Sequence, residues 1–68
     1  KQELKQALMK AINSLPEEQR ICVILRDIQG FSYTEISEIL MCSLGTVKSR
    51  LSRGRRALRQ ILKRPELL

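Results

Sequence analysis

Apolar residues recur at Leu4, Leu8, Ala11, Ile12 and Leu15, the i, i+4, i+7 spacing that collects one face of an α-helix. The pattern stops at "NSLP". Asn13 and Ser14 favour caps and turns there, and Pro16 cannot continue a helix but starts one well. Ser14 and Glu17 have capping-box spacing, and Glu17 with Glu18 suits the positive N-terminal end of a second helix. That helix is expected over roughly Pro16 to Gln29, and it is apolar throughout "ICVIL", Ile21 to Leu25. Five such residues also fit a buried strand, so the flanks decide. "PEEQR" opens a helix, and "RDIQG" closes one with Gly30 at the position after the cap. A helix buried on several sides is therefore expected.

The pattern restarts at "FSYTE". Ser32 and Glu35 form a second capping box, with Phe31 placed as the apolar residue before the cap. Tyr33, Ile36, Ile39 and Leu40 fall on one face of a short helix ending near Met41. Ser43 then caps a fourth helix whose first turn holds Leu44, Gly45 and Thr46. Two helices joined by so short a turn make a helix-turn-helix. The expected fold is all-α: four helices, the last two forming the helix-turn-helix, in a single domain over residues 1–68. The chain starts with Lys1 rather than Met, as expected of a fragment of a longer protein, and its end, "KRPELL", is expected to fray.

Phase matters most in the fourth helix. Advancing by about 100° per residue from Val47, the residues Leu44, Leu51, Gly54, Leu58, Ile61 and Leu62 fall within about 60° of it on either side. Opposite them lie Lys48, Ser49, Ser52, Arg53, Arg56, Arg59 and Lys63. Arg50 sits at the edge of the apolar arc. A pairing with Glu35 or Glu38 and a phosphate contact stand equal for it.

Charge sharpens this picture. The 68 residues carry 13 basic and 7 acidic side chains, a net +6. Eight of the basic residues lie between Lys48 and Arg64, and no acid occurs from residue 39 to 65. Solvated helix faces mix signs so that i, i+4 pairs form, whereas Arg55, Arg56 and Arg59 repel one another and no acid within the segment compensates them. An external polyanion is the expected compensation, and nucleic acid fits it. A membrane surface fits less well, because the apolar arc lacks Trp and Phe anchors and is needed as core.

Composition excludes other chemistry. The chain has no histidine, and Cys22 and Cys42 have no CxxC partners, so a zinc site lacks its ligands and the usual histidine- or cysteine-based acid–base parts are missing. No catalysis, metal or cofactor is expected. The two cysteines are expected to be reduced and partly buried, in a cytoplasmic protein. No apolar run approaches a membrane span, so no membrane insertion is expected.

Within the fourth helix, Lys48, Ser49, Ser52 and Arg53 form one patch over two turns, where a recognition helix reaches base edges in the major groove. Arg53 suits a bidentate contact to guanine, Lys48 a point contact, and the serines several bases. Arg56, Arg59 and Lys63 lie farther along and suit phosphates. Gly45 and Thr46 occupy a first turn whose free N–H groups and dipole favour a phosphate. Spacing alone supports equally that they are merely tolerated there.

The stretches "LPEEQR", "LRDIQGFSYTEISEIL" and "CSLGTVKSRLSRGRRALR", within residues 15–59, resemble region 4, the C-terminal domain of bacterial sigma factors. The nearest likeness is to the extracytoplasmic-function group. The resemblance implies an all-α domain that binds the minus-35 promoter element in double-stranded DNA while attached to RNA polymerase, directing transcription initiation. It places Lys48, Ser49, Ser52 and Arg53 at base-facing positions, and Arg26, Tyr33, Gly45 and Thr46 at positions that hold the phosphate backbone. Arg26 and Tyr33 rest on the resemblance alone. It further implies a surface on the earlier helices for the flap-tip helix of the polymerase β subunit, and an anti-sigma factor as a second partner. This chain departs from its relatives at Ser52, where a larger or aromatic residue is frequent, and at Ser37, commonly alanine. The alternatives are the helix-turn-helix output domain of a response regulator and a protein-interaction module docking through the apolar helix at 16–29. "LPEEQR" and the basic extension past Arg53 favour the sigma-like reading over the first.

Overall fold

The computed structural model describes residues 1–63. They form α1 (Gln2–Asn13), α2 (Glu17–Val23) continued by a π-helical turn (Ile24–Ile28), α3 (Tyr33–Leu40) and α4 (Leu44–Ile61). The all-α, four-helix expectation holds. The expected fraying of "KRPELL" falls almost wholly on residues 64–68, outside the described residues.

The starts of α3 and α4 and the end of α3 have local causes. Ser32 Oγ accepts from the Glu35 N–H at 3.0 Å, and Glu35 Oε1 accepts from the Ser32 N–H at 2.8 Å. This is the reciprocal capping box read from the sequence. Ser43 caps α4 by accepting from the Thr46 N–H at 3.0 Å. Between these starts, α3 ends in a Schellman arrangement: the Cys42 N–H reaches Ser37 O at 3.0 Å, and the Met41 N–H reaches Glu38 O at 3.4 Å. Met41 thereby takes φ 54° and ψ 48°, the left-handed conformation usually left to glycine.

The Ser14–Glu17 capping box does not form. Ser14 is already engaged as the C-terminal cap of α1, with helical φ −85° and ψ −8° and its hydroxyl donating to Ala11 O at 2.6 Å. Pro16 occupies the cap position of α2 instead and makes no side-chain cap bond. Arg20 ties the turn together, its Nη1 donating to Asn13 O and Leu15 O, each at 3.3 Å.

The second helix also differs from the uninterrupted one expected. After Val23 the backbone widens, and the Gln29 N–H bonds to Ile24 O at 3.0 Å, five residues back. The Phe31 N–H then closes over Gly30, which has φ +81°, onto Leu25 O at 2.9 Å. Positive φ at that point is why a glycine ends this helix. The widened turn carries Arg26 and Asp27 towards α3 and α4.

The core consists of Ala11, Ile12, Leu15, Cys22, Val23, Ile36, Val47, Leu51 and Leu58. α4 is its spine, packing on α2 along one flank and on α3 along the other. Gly54 lies where α4 crosses α2: a β-carbon there would stand 3.0 Å from Val23 Cγ2 and 3.4 Å from Gln19 Cβ. Cys22 is fully buried, Cys42 half-buried, and both are free thiols. Burial pushes the Cys22 thiol pKa up.

The apolar faces were longer in sequence than they are in the core. Leu4 and Leu8 of α1 are exposed, because only the C-terminal part of that helix, through Ala11, Ile12 and the following Leu15, is covered by the others. Ile39 is half exposed, since a two-turn α3 buries Ile36 completely and turns Ile39 outward. Leu44 and Ile61, at the two ends of α4, also remain exposed. Arg50 pairs with neither Glu35 nor Glu38 but with Glu18 at 3.5 Å, because its edge of α4 faces α2.

Candidate nucleic-acid interface

With Val47, Leu51, Gly54 and Leu58 buried, the helical period turns Lys48, Ser49, Ser52, Arg53, Arg56 and Arg59 to solvent, and all six are exposed. The face lies on one helix and is flanked by Tyr33 at the start of α3. A cavity of about 410 Å³ opens beside it, lined by Tyr33, Lys48, Leu51, Ser52, Arg55 and Arg59. Leu51 forms its apolar floor, and its polar lining consists of hydrogen-bond donors with no carboxylate among them.

The N-terminal turn of α4 is already partly committed. Ser43 Oγ takes the Thr46 N–H, and the Ser43 and Thr46 hydroxyls share a bond at 2.9 Å. The amides of Leu44 and Gly45, first-turn groups with no intrahelical partner, are the ones left for an anion. Gly45 is exposed, and the nearest atom to a β-carbon placed there would be Ser43 Oγ at 3.9 Å. Approach to that backbone is therefore open.

Beside this face stands a network that sequence reasoning missed. Arg55 Nη2 donates to Asp27 Oδ1 at 2.6 Å, and its Nε donates to Oδ2 at 3.0 Å, a two-pronged guanidinium–carboxylate pair. Its Nη1 donates to the Tyr33 hydroxyl at 3.4 Å. The Asp27 hydrogen bonds first, then that of Tyr33, push the Arg55 pKa still higher, so its charge is permanent. Arg26 lies over the Tyr33 ring, 5.1 Å from its centroid, and donates from Nη1 to Phe31 O at 3.0 Å. Arg55 is thus compensated from outside its own helix, by an acid of the π-helical turn.

The structure brings Tyr33, Lys48, Ser52 and Arg59 around one cavity and sets Arg26 behind Tyr33. Gly45 and Thr46 sit at the N-terminal end of the same helix, and Ser49, Arg53 and Arg56 continue its exposed face. Asp27 is the single acid between Glu18 and Glu35. That isolation was the one sequence signal pointing to a specific partner.

Among known proteins, the profile of the family described as Sigma-70, region 4 matches residues 5–58. The chain is 46% identical over 57 residues to the ECF RNA polymerase sigma-E factor of Escherichia coli (strain K12), covering 84% of this chain and 30% of that protein. The same figures hold for the ECF RNA polymerase sigma-E factor of Salmonella typhimurium (strain LT2). It is 53% identical over 55 residues to the ECF RNA polymerase sigma factor SigE of Mycolicibacterium smegmatis, covering 81% of this chain and 21% of that protein. The chain therefore spans less than a third of the length of these curated relatives.

Proposed function

This chain belongs to the sigma-70 region 4 family, and from that membership we propose that it binds the minus-35 promoter element in double-stranded DNA as part of a sigma factor directing RNA polymerase to promoters. The observation that carries the proposal is the α4 face. Six exposed donor side chains stand on one helix, opposite four buried residues, in a segment without acids. An α-helix about 10–12 Å across fits the major groove, about 12 Å wide.

In this reading Lys48, Ser49, Ser52 and Arg53 meet base edges. Arg26, Tyr33, Gly45, Thr46, Arg56 and Arg59 meet phosphates, which fix register and orientation but carry no sequence information themselves. Residue type supports the division. Arg53 lies within the first three turns of α4, where groove depth is reached, and its planar fork matches guanine O6 and N7. Serine at 52 makes a shallow contact and leaves the neighbouring cavity open.

The partners that follow are promoter DNA, the RNA polymerase core through its β flap-tip helix, and an anti-sigma factor, in the bacterial cytoplasm. Exposed Leu4, Leu8, Ile28 and Ile39 supply apolar surface on the elements before α4 for such protein contacts. The chain's part is recognition, with no catalytic step. Among the described residues no helix is long and apolar enough to cross a membrane.

Selection of duplexes from a randomised pool by this chain tests the proposal. Enrichment of one short motif is the expected result. Uniform recovery of all sequences would reduce the chain to a non-specific polyanion binder.

A further inference from the structure

Arg55 is held on α4 by a two-pronged pair with a carboxylate of another element, and Asp27 is the residue that holds it. The pair spans 28 residues of sequence, with both carboxylate oxygens engaged at 2.6 and 3.0 Å. An arginine held by two parallel bonds to a carboxylate has its charge neutralised and its fork already filled. Its remaining engaged donor, Nη1, goes to Tyr33. Because the Tyr33 oxygen accepts that bond, the phenolic proton stays free for an acceptor outside the protein. The ring below it is held by Arg26, itself anchored on Phe31 O. One carboxylate therefore links the π-helical turn, the start of α3 and the middle of α4.

We propose that Asp27 is a positioning residue for DNA recognition: it withholds Arg55 from the phosphate backbone and makes that guanidinium a strut aiming the Tyr33 hydroxyl at the nucleic acid. This rests on the DNA-binding reading above and deepens it. The cationic face then divides into donors open to DNA, namely Lys48, Arg53, Arg56 and Arg59, and an internal pair that gives shape rather than attraction. The arrangement limits sequence-blind affinity, since one fewer cation reaches phosphate. It also raises discrimination, because a phosphate contact held rigidly fixes the register in which bases are read.

The signature differs from that of a merely structural ion pair, whose loss would lower stability and weaken all duplexes without altering the number of phosphates contacted. Affinity for a selected and a scrambled duplex is measured over a salt series for the parent, Asp27→Asn, Arg55→Gln and the double variant, with thermal melts confirming folding. Asparagine keeps the shape of Asp27 but removes its charge and presents an amide to the guanidinium. Asp27→Asn is expected to tighten scrambled-duplex binding several-fold and to steepen the slope of log affinity against log salt by about 0.9, one phosphate's worth. The ratio of selected to scrambled affinity falls. The double variant returns the slope to the parent value while that ratio stays low.

Arg55→Gln tests the pair from its other side, even where Asp27→Asn does not fold. Its slope stays at the parent value, because Arg55 was never on a phosphate. An unchanged slope in Asp27→Asn, or a slope shallower by about 0.9 in Arg55→Gln, overturns the proposal and leaves the DNA reading standing. A parent chain with no salt-dependent duplex binding overturns both.

Discussion

Gly54 of α4 passes Val23 of α2 so closely that a β-carbon at position 54 would lie 3.0 Å from Val23 Cγ2. Val23 is 1% exposed and branched at Cβ, so it has little room to move aside. Alanine at 54 gains about 1 kcal/mol of helix propensity over glycine. Overpacking costs about 1–3 kcal/mol against it. Gly54→Ala is expected to lose about 0–2 kcal/mol relative to the parent, and Gly54→Val to cost about 3 kcal/mol, in urea denaturation. A valine variant as stable as the parent would mean that α2 and α4 do not approach through this residue.

Met41 gives the opposite case, a side chain where glycine belongs. It holds φ 54° while 90% exposed, so its apolar surface returns little for the strained backbone. Left-handed backbone costs a non-glycine residue roughly 1–2 kcal/mol, part of which the greater freedom of unfolded glycine cancels. Met41→Gly is expected to raise stability by about 0.5–1 kcal/mol, several degrees in Tm for a domain of this size. A lower Tm would show that the exposed methionine makes a stabilising contact.

The capping box predicts a pH dependence. The backbone hydrogen bond from Ser32, then its side-chain bond, hold the Glu35 carboxyl below its ordinary value of 4.5. A folded pKa lower than the unfolded one contributes stability that is present above the unfolded pKa and lost as pH falls through the folded value. Glu35→Gln keeps the cap geometry without the titrating charge. The parent is expected to be the more stable at neutral pH, with the difference shrinking below about pH 4.5. A difference that stayed constant down to about pH 3 would remove the charge from the explanation.

How far the sequence revealed this molecule depended on distance along the chain. The Ser32–Glu35 box and the Ser43 cap span three residues each and were legible at once. Ser14 and Glu17 show the limit of the same rule: the spacing fits, but the preceding helix had already claimed the serine hydroxyl for Ala11 O. The apolar phase of α4 identified Val47, Leu51 and Leu58 as core. Phase alone gave Leu4, Leu8 and Ile39 equal standing, because periodicity shows which way a side chain faces and not whether another helix covers it. The π-helical turn was invisible inside an apolar run, where every register looks alike. With it went the placement of Arg26 and Asp27, and so the Asp27–Arg55 pair 28 residues apart. Glu18 was likewise missed for Arg50, since pairing across helices depends on which flank of α4 meets α2.

The division of labour on α4 is tested most directly by comparing Arg53→Ala with Arg59→Ala for equilibrium binding to a selected and a scrambled duplex at one salt concentration. Arg53→Ala is expected to lower the discrimination between the two duplexes by about 1–3 kcal/mol. Arg59→Ala is expected to weaken both duplexes alike and leave their ratio unchanged. An Arg53→Ala chain that still discriminated as the parent does would contradict the assignment of this face to base reading.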